Sequence, residues 1–354
     1  MEQVTLAVEV EEEKPDLLDK PTATLIIILV WVVACGVISI MGVVGNAINI
    51  AVFIKMGLKD TVNISLLGLA AADMCSSFLL ILIGQFYSPL MASKDLSFIA
   101  SEVEYLSFGW PRVYFTRCVS GITAFVAFER CLCITFPLKV KTLITPKRSV
   151  IAVVSIYVIM ALSVMPTYLS TRLGYKFDET RNRTVYGLLL NDNRQTIDGI
   201  AFVMGVFLAL TSFIWAFVCA CVLIYFLTRQ NFPGSKLSAD PNSATSNATF
   251  NKESRIAKSK QAGKMVFLIT VIFVLCYIPS NMLQLTMALV SDFNKGGYYI
   301  NLRQVCWALG NFMEAVNSSV NIFMYLRMSS RYKASFLTVF PKCSSVLHIS
   351  PEQK

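Results

Sequence analysis

Charge is scarce in this chain. Only 15% of its 354 residues are Asp, Glu, Lys or Arg, while 55% are hydrophobic and the mean hydropathy is +0.61. Soluble domains carry about 25% charged residues, so an ordinary soluble protein fits poorly. A disordered chain needs low hydrophobicity and is excluded. Histidine is scarcer still, with His348 alone in the tail. With no HExxH, no CxxC and no His cluster, neither a metal site nor a cofactor is expected. No nucleophile–base pair stands out beyond isolated cysteines, so an enzyme is not expected. The first 20 residues lack a basic stretch and a cleavage site and hold seven acids instead, Glu2, Glu9, Glu11, Glu12, Glu13, Asp16 and Asp19. A signal peptide is therefore not expected, and the first apolar segment must serve as its own insertion signal. Of the ten cysteines, all but Cys343 fall in or beside apolar runs and read as small packing residues. Cys343 follows a short amphipathic stretch and is a palmitoylation candidate. No internal repeat is visible, which argues against a transporter built from duplicated halves.

What the chain does have is long uncharged runs. Residues 24–54, 149–171, 199–228 and 265–291 hold no charge; residues 61–93 hold only Asp73 and residues 304–326 only Glu314. A bilayer core of about 30 Å takes about 20 apolar residues per helix, so these six segments span outright. A seventh, near residues 104–135, is more charged, with Glu104, Arg112, Arg117, Glu129 and Arg130; without it a long apolar loop would remain. The expected fold is an all-α membrane protein, a seven-transmembrane helix bundle. Residues 329–340 place Phe336, Leu337 and Phe340 on one side and Arg331 and Lys333 on another, as in a short interfacial eighth helix touching membrane lipid.

Orientation follows the basic residues. Segments 55–60, 135–148, 229–264 and 327–354 together carry 18 Lys or Arg, against 10 in the alternate set. The positive-inside rule then puts the N-terminus outside and the C-terminus in the cytoplasm. The expected division is an acidic extracellular segment 1–23, a transmembrane domain 24–328 with a flexible cytoplasmic loop 229–264, and the interfacial helix with its tail, 329–354. The net charge of +9 reflects this bias, and no nucleic-acid partner is implied. Among four N-x-S/T sequons only Asn182 falls outside, making it the glycosylation candidate.

Polar groups inside the spans are expensive in lipid and are functional candidates. Asn46 and Asp73 lie midway in the first and second spans. Glu314, Asn317, Ser318 and Asn321 recur at three- and four-residue steps, on one face of the last span. Such a cluster holds a cation or proton, or only ties helices together. Arg112 and Arg130 are 18 residues apart, five turns, and share a face; Arg117 points elsewhere. Arg112 pairs with Glu314 or meets an anionic ligand group, so Arg112, Arg117 and Glu314 are ligand-site candidates. In the sixth span, Pro279 removes a backbone bond and bends the helix beside Phe273 and Tyr277.

Over residues 24–340 these features resemble the rhodopsin-like G-protein-coupled receptors. Gly45-Asn46 is similar to the family's GN, Leu69–Asp73 to LAxxD, and Glu129-Arg130-Cys131 with Pro137-Leu138 to the E/DRY box and its following proline. Cys276–Pro279 is similar to CWxP, with Tyr277 in the tryptophan slot. Asn317-Ser318 and Asn321–Tyr325 resemble NSxxNPxxY without its proline, and Tyr225 takes the fifth helix's tyrosine position. The resemblance implies a heterotrimeric G protein as partner, arrestin as a further one, and a plasma-membrane location. It assigns the switch to Glu129, Arg130, Tyr225, Phe273, Tyr277, Pro279, Asn321 and Tyr325, and the polar core to Asn46, Asp73, Asn317, Ser318 and Asn321.

Departures from the family carry their own expectations. The cysteine that usually heads the third helix would fall near Tyr105, and residues 169–198 contain none, so the disulfide pinning the second outer loop is expected to be missing. Val119 fills the serine slot of the sodium site, which counts against Na+ at Asp73. Tyr157 replaces the fourth helix's tryptophan and Phe217 the fifth helix's proline. Ser259 stands where the sixth helix's acidic partner of Arg130 belongs, so Glu129 is expected to hold Arg130 alone, with raised basal signalling. No lysine lies between Arg303 and Arg327, which excludes a retinal Schiff base. Residues 128–141 resemble molluscan chemosensory receptors, so a chemosensory role is the first expectation; a neuropeptide receptor is the second, and a signalling-dead decoy or a transporter follow.

Overall fold

The structure is a computed structural model in which residues 17–88, 91, 95–136, 140–229, 246–293 and 298–344 are described. Seven long helices are found among them: α1 (Lys20–Met56), α2 (Thr61–Phe86), α3 (Ala100–Thr135), α4 (Pro146–Ser170), α5 (Arg194–Arg229), α6 (Ser246–Leu289) and α7 (Ile300–Met328), followed by the short α8 (Ser330–Val339). A hairpin of β1 (Thr171–Asp178) and β2 (Arg183–Leu190) joins α4 to α5. Six of the helices are long and apolar enough to cross a membrane. α7, at 29 residues, has the length but carries Asn311, Glu314, Asn317, Ser318, Ser319 and Asn321, all buried. The difficult span is thus the last one and not the third, because amides and hydroxyls lower hydropathy without adding charge.

Local chemistry sets the helix ends. Asp19 accepts from the Thr22 N–H at 3.1 Å, Asp60 from Val62 N–H at 3.2 Å and Ser329 from Tyr332 N–H at 3.2 Å, capping α1, α2 and α8. Thr145 precedes Pro146 at the first turn of α4. Gly57 ends α1 with φ +85°, a left-handed conformation that suits glycine. Inside α1, residues Ile28–Ala34 are wound as π-helix, and inside α3 so are Tyr105–Gly109.

The bundle packs around Phe53, Leu66, Leu69, Ile122, Val126, Ile269, Phe273 and Tyr325. A second cluster joins Ala23, Ile27 and Trp31 of α1 to Leu80, Ile83, Val305 and Ala308. Gly42 brings α1 against Ser77 and Ser319, where a Cβ would collide; small residues at such crossings let helices pack without a hydrophobic drive in lipid. Outward faces stay apolar, with Val37, Val44, Ile151, Val158, Phe207 and Trp215 exposed, as a lipid-facing surface requires. The chain is a multi-pass membrane protein.

α5 runs unbroken through Phe217, as the missing proline leads one to expect. Three features depart from the sequence reading. The segment between α4 and α5, expected as a loop, is a hairpin. α6 starts at Ser246, inside the segment 229–264 expected as a flexible loop. α8 turns Tyr332 and Phe336 inward, with Tyr332 edge-on to Phe53 of α1 at 5.5 Å, so protein covers that part of its apolar face. The acidic residues 1–16, the loop 230–245, Pro137-Leu138 and His348 lie outside the described residues.

Candidate functional site

Near the hairpin end of the bundle, α3, α6 and α7 meet at one carboxylate. Arg112 Nη2 lies 2.9 Å from Glu314 Oε2, with both side chains about nine-tenths buried. Ser280 Oγ donates to the other oxygen, Oε1, at 2.6 Å. Ser280 directly follows Pro279, so the ion pair holds α6 at its proline. Gly310 makes room for this, since a Cβ there would press on Ser280. Arg112 Nε is buried without a hydrogen-bond partner, a donor left over inside the site. Arg117 turns away, donating to Ser163 O at 3.3 Å and Ser163 Oγ at 2.8 Å on α4. It also sits against Gly205 of α5 and 5.9 Å from the Trp110 ring. It does not join Arg112 and Glu314, and makes no ion pair among the described residues.

Midway along the bundle the polar residues form one network. Asp73 accepts from Ser318 Oγ at 2.6 Å and from Asn321 Nδ2 at 2.9 Å. Asn46 donates to Gly42 O at 2.9 Å and to Ser318 O at 2.8 Å. Asn49 donates to Asn46 Oδ1 at 3.0 Å and accepts from Tyr332 OH at 2.7 Å. Thus α1, α2, α7 and α8 are tied by bonds worth more where water is absent. Asn317 is buried beside them and takes no part in these bonds. Val119 is buried nearby on α3 and offers no oxygen. Phe273 and Tyr277 lie ring to ring at 4.3 Å on α6. Asn281 donates to Tyr277 O at 2.8 Å, one turn back along α6.

At the α8 end the expected Glu129–Arg130 pair is not formed. Glu129 is fully buried and accepts from Ser65 Oγ at 2.9 Å and from Ser149 Oγ at 2.8 Å, tying α3 to α2 and α4. Two hydroxyls satisfy the carboxylate from the side, leaving its neighbour in sequence free to turn inward. Arg130 lies between a cavity of about 520 Å³ lined by Phe53, Asn63, Met265 and Tyr325, and one of about 590 Å³ lined by Asp60, Cys133 and Thr145. Its Nε is buried without a hydrogen-bond partner. Tyr325 is 1% exposed and packs on Phe53 and Tyr332. Tyr225 departs from its expected place: it is 55% exposed, edge-on to Phe226, and lines neither cavity. Where the fourth helix lacks tryptophan, Tyr157 OH donates to Gly68 O at 2.8 Å and links α4 to α2.

The hairpin tip presents Asn182 exposed, with φ +46°. Beside it Thr180 donates from Oγ1 and N–H to Asp178, holding that carboxyl below its usual range. Cys343 falls in a one-turn 3₁₀ helix, Pro341–Ser344; its side chain lies outside the described residues. Sequence reasoning missed Ser280, Ser65, Ser149, Asn49 and Tyr332. Ser280 had a signal, being the polar residue after the bending proline; Ser65 and Ser149 had none.

Seven spanning helices, a polar network through their middle and an arginine facing a cavity at one end define a seven-helix membrane receptor. The chain belongs to the 7 transmembrane receptors of the rhodopsin family, whose model matches residues 45–325. It is 27% identical to galanin receptor 2b of Danio rerio over 87% of this chain and 74% of that protein. It is 25% identical to the thyrotropin-releasing hormone receptor of Ovis aries, over 87% and 76% of the two chains, and 25% identical to the allatostatin-A receptor of Bombyx mori, over 86% and 77%. The chain is thus a G-protein-coupled receptor and not an enzyme.

Proposed function

We propose that this receptor responds to a peptide, in the plasma membrane, with the hairpin end outside and the α8 end in the cytoplasm. The relatives named above support a peptide over the chemosensory ligand first expected: they are receptors for galanin, thyrotropin-releasing hormone and allatostatin-A. The excess of Lys and Arg in the segments at the α8 end supports the orientation. The exposed Asn182 carries a glycan in this arrangement.

The observation that carries the mechanism is the buried link Arg112–Glu314–Ser280. A ligand donor that takes Glu314 competes with Ser280 for the same carboxylate and frees α6 beside Pro279, while an anionic ligand group that takes Arg112 competes with Glu314 for the guanidinium. Only the difference in affinity between the held and freed states shifts the population. At the far end, Arg130 and Tyr325 flank the cavity that receives the G protein.

The test is a panel of amidated neuropeptides and small amino acids, read through a promiscuous G protein in intact cells. A peptide should stimulate nucleotide exchange, and Arg130→Ala should abolish the response while sparing peptide binding. Responses confined to small molecules would overturn the peptide reading. Unchanged exchange in Arg130→Ala would remove Arg130 from the switch. A glycosidase-sensitive mass that Asn182→Gln fails to remove would refute the glycan at Asn182.

A further inference from the structure

The hairpin between α4 and α5 contains no cysteine, and the described cysteines are all unpaired. It is nevertheless docked on the first turn of α3. Glu102, in that turn, reaches across to β1 and β2 together. Lys176 Nζ of β1 lies 2.8 Å from Glu102 Oε1 and 2.8 Å from Oε2. The N–H of Leu188 on β2 donates to Oε2 at 2.7 Å. Leu188 faces Leu173 in the hairpin register, and its N–H points away from β1 at the hairpin's open edge. An edge donor of this kind needs a partner, and the Glu102 carboxylate supplies it. Gly187 is what lets the carboxylate in, because a Cβ there would run into Glu102 and press on Lys176.

The strip leading into α3 extends the docking. Ile99 N–H donates to Tyr186 O at 2.9 Å and Tyr186 N–H to Ser97 O at 2.9 Å, which makes 97–99 a partial third strand. Arg183 forks onto both carboxylate oxygens of Asp95 and donates to Leu96 O at 2.8 Å. Arg181 donates to Leu96 O at 3.2 Å. Five charged residues, Lys176, Arg181 and Arg183 on the hairpin, Asp95 on the strip and Glu102 in the first turn of α3, are thereby spent on one contact.

We propose that Glu102 and Lys176 form a noncovalent clasp that holds the hairpin on α3 in place of a disulfide, and that the hairpin is released and redocked without redox chemistry. Both side chains keep about three-tenths of their surface in solvent, 27% for Glu102 and 30% for Lys176, so dissolved salt reaches the pair and weakens it. A covalent pin would ignore salt and yield to a reductant; this clasp does the reverse. The proposal concerns the attachment of the hairpin and is independent of which ligand the receptor binds.

Hydrogen–deuterium exchange on the purified full-length receptor in lipid nanodiscs tests it without a ligand. Glu102→Ala should speed exchange of peptides spanning 183–190 and 97–99 by about tenfold, the factor for one lost charge-assisted bond to a backbone N–H, with α7 peptides unchanged. In the unmodified receptor, raising NaCl from about 0.05 to about 1 M, which shortens the screening length several-fold, should accelerate the same peptides, and dithiothreitol should leave them alone. Exchange in Glu102→Ala at the unmodified rate overturns the clasp, as does acceleration by dithiothreitol. Should Glu102→Ala fail to fold, Lys176→Gln decides: it keeps the Leu188 bond and removes only the opposite charge. A salt response reduced to what the exposed Arg183–Asp95 pair retains supports the clasp, and a response of undiminished size overturns it.

Discussion

Single residues carry most of what can be tested. Glu314 answers both Arg112 and Ser280, so Glu314→Ala strands a buried guanidinium. Breaking one side of a buried pair costs about 3–5 kcal/mol, while replacing both members with apolar residues is often neutral. Thermal denaturation in detergent should show a large loss of Tm in Glu314→Ala and recovery in the double variant Arg112→Met with Glu314→Met; equal losses would dissolve the pair. Glu129 gives a second prediction. Its carboxylate is held by Ser65 and Ser149, and it stands next to an arginine that makes no ion pair among the described residues. Basal exchange should therefore exceed that of empty membranes. Ser65→Ala combined with Ser149→Ala should return Glu129 to Arg130 and lower basal exchange several-fold, since bonds to a charged acceptor are worth about 1.5–3 kcal/mol each. A rise in basal exchange would contradict this. The charged residues were legible in the sequence because each is conspicuous against lipid. Their hydroxyl partners were not, since a serine in an apolar run costs little and is common there. Tyr225 misled for another reason: a motif position gives the place along a helix, and the rotation that turned it outward depends on packing.

Elements were legible to the degree that their period survived. Four runs without charge and two with a single charge mark six spans directly, and the caps Asp19, Asp60 and Thr145 explain where α1, α2 and α4 begin. The hairpin was missed although Leu173, Tyr175 and Phe177 alternate with Gly174, Lys176 and Asp178. That is the period of a strand, within a segment that also serves to connect two membrane helices. In α6 the proline was plain, and its use was not: Pro279 lies inside the helix, and the adjacent Ser280 fastens that turn to Glu314. Pro279→Ala restores a backbone donor inside α6 and removes a steric clash with the preceding turn. The variant should keep or gain thermal stability and lose several-fold in ligand-stimulated exchange. Full stimulated exchange in a helix without the proline would mean that α6 moves as a rigid rod.

At the scale of the whole molecule, the family and its seven helices were readable from motifs in order, each on its own span. The ligand class was not: the resemblance of one short run, residues 128–141, points to chemosensory receptors, while relatives matched over most of the chain are receptors for galanin, thyrotropin-releasing hormone and allatostatin-A. The arrangement of α7 has a consequence for how the protein is made. Of the seven spanning helices α7 is made after the other six and is the one rich in buried amides and hydroxyls, and these find partners on α1 and α2: Ser319 donates to Ile38 O, and Ser318 and Asn321 donate to Asp73. α1 and α2 therefore have to stay within reach until α7 is made. A truncated message encoding α6, α7 and the tail alone should strand α7 in water, with the tail on the wrong side of the bilayer; co-expression of α1 and α2 should bring it home.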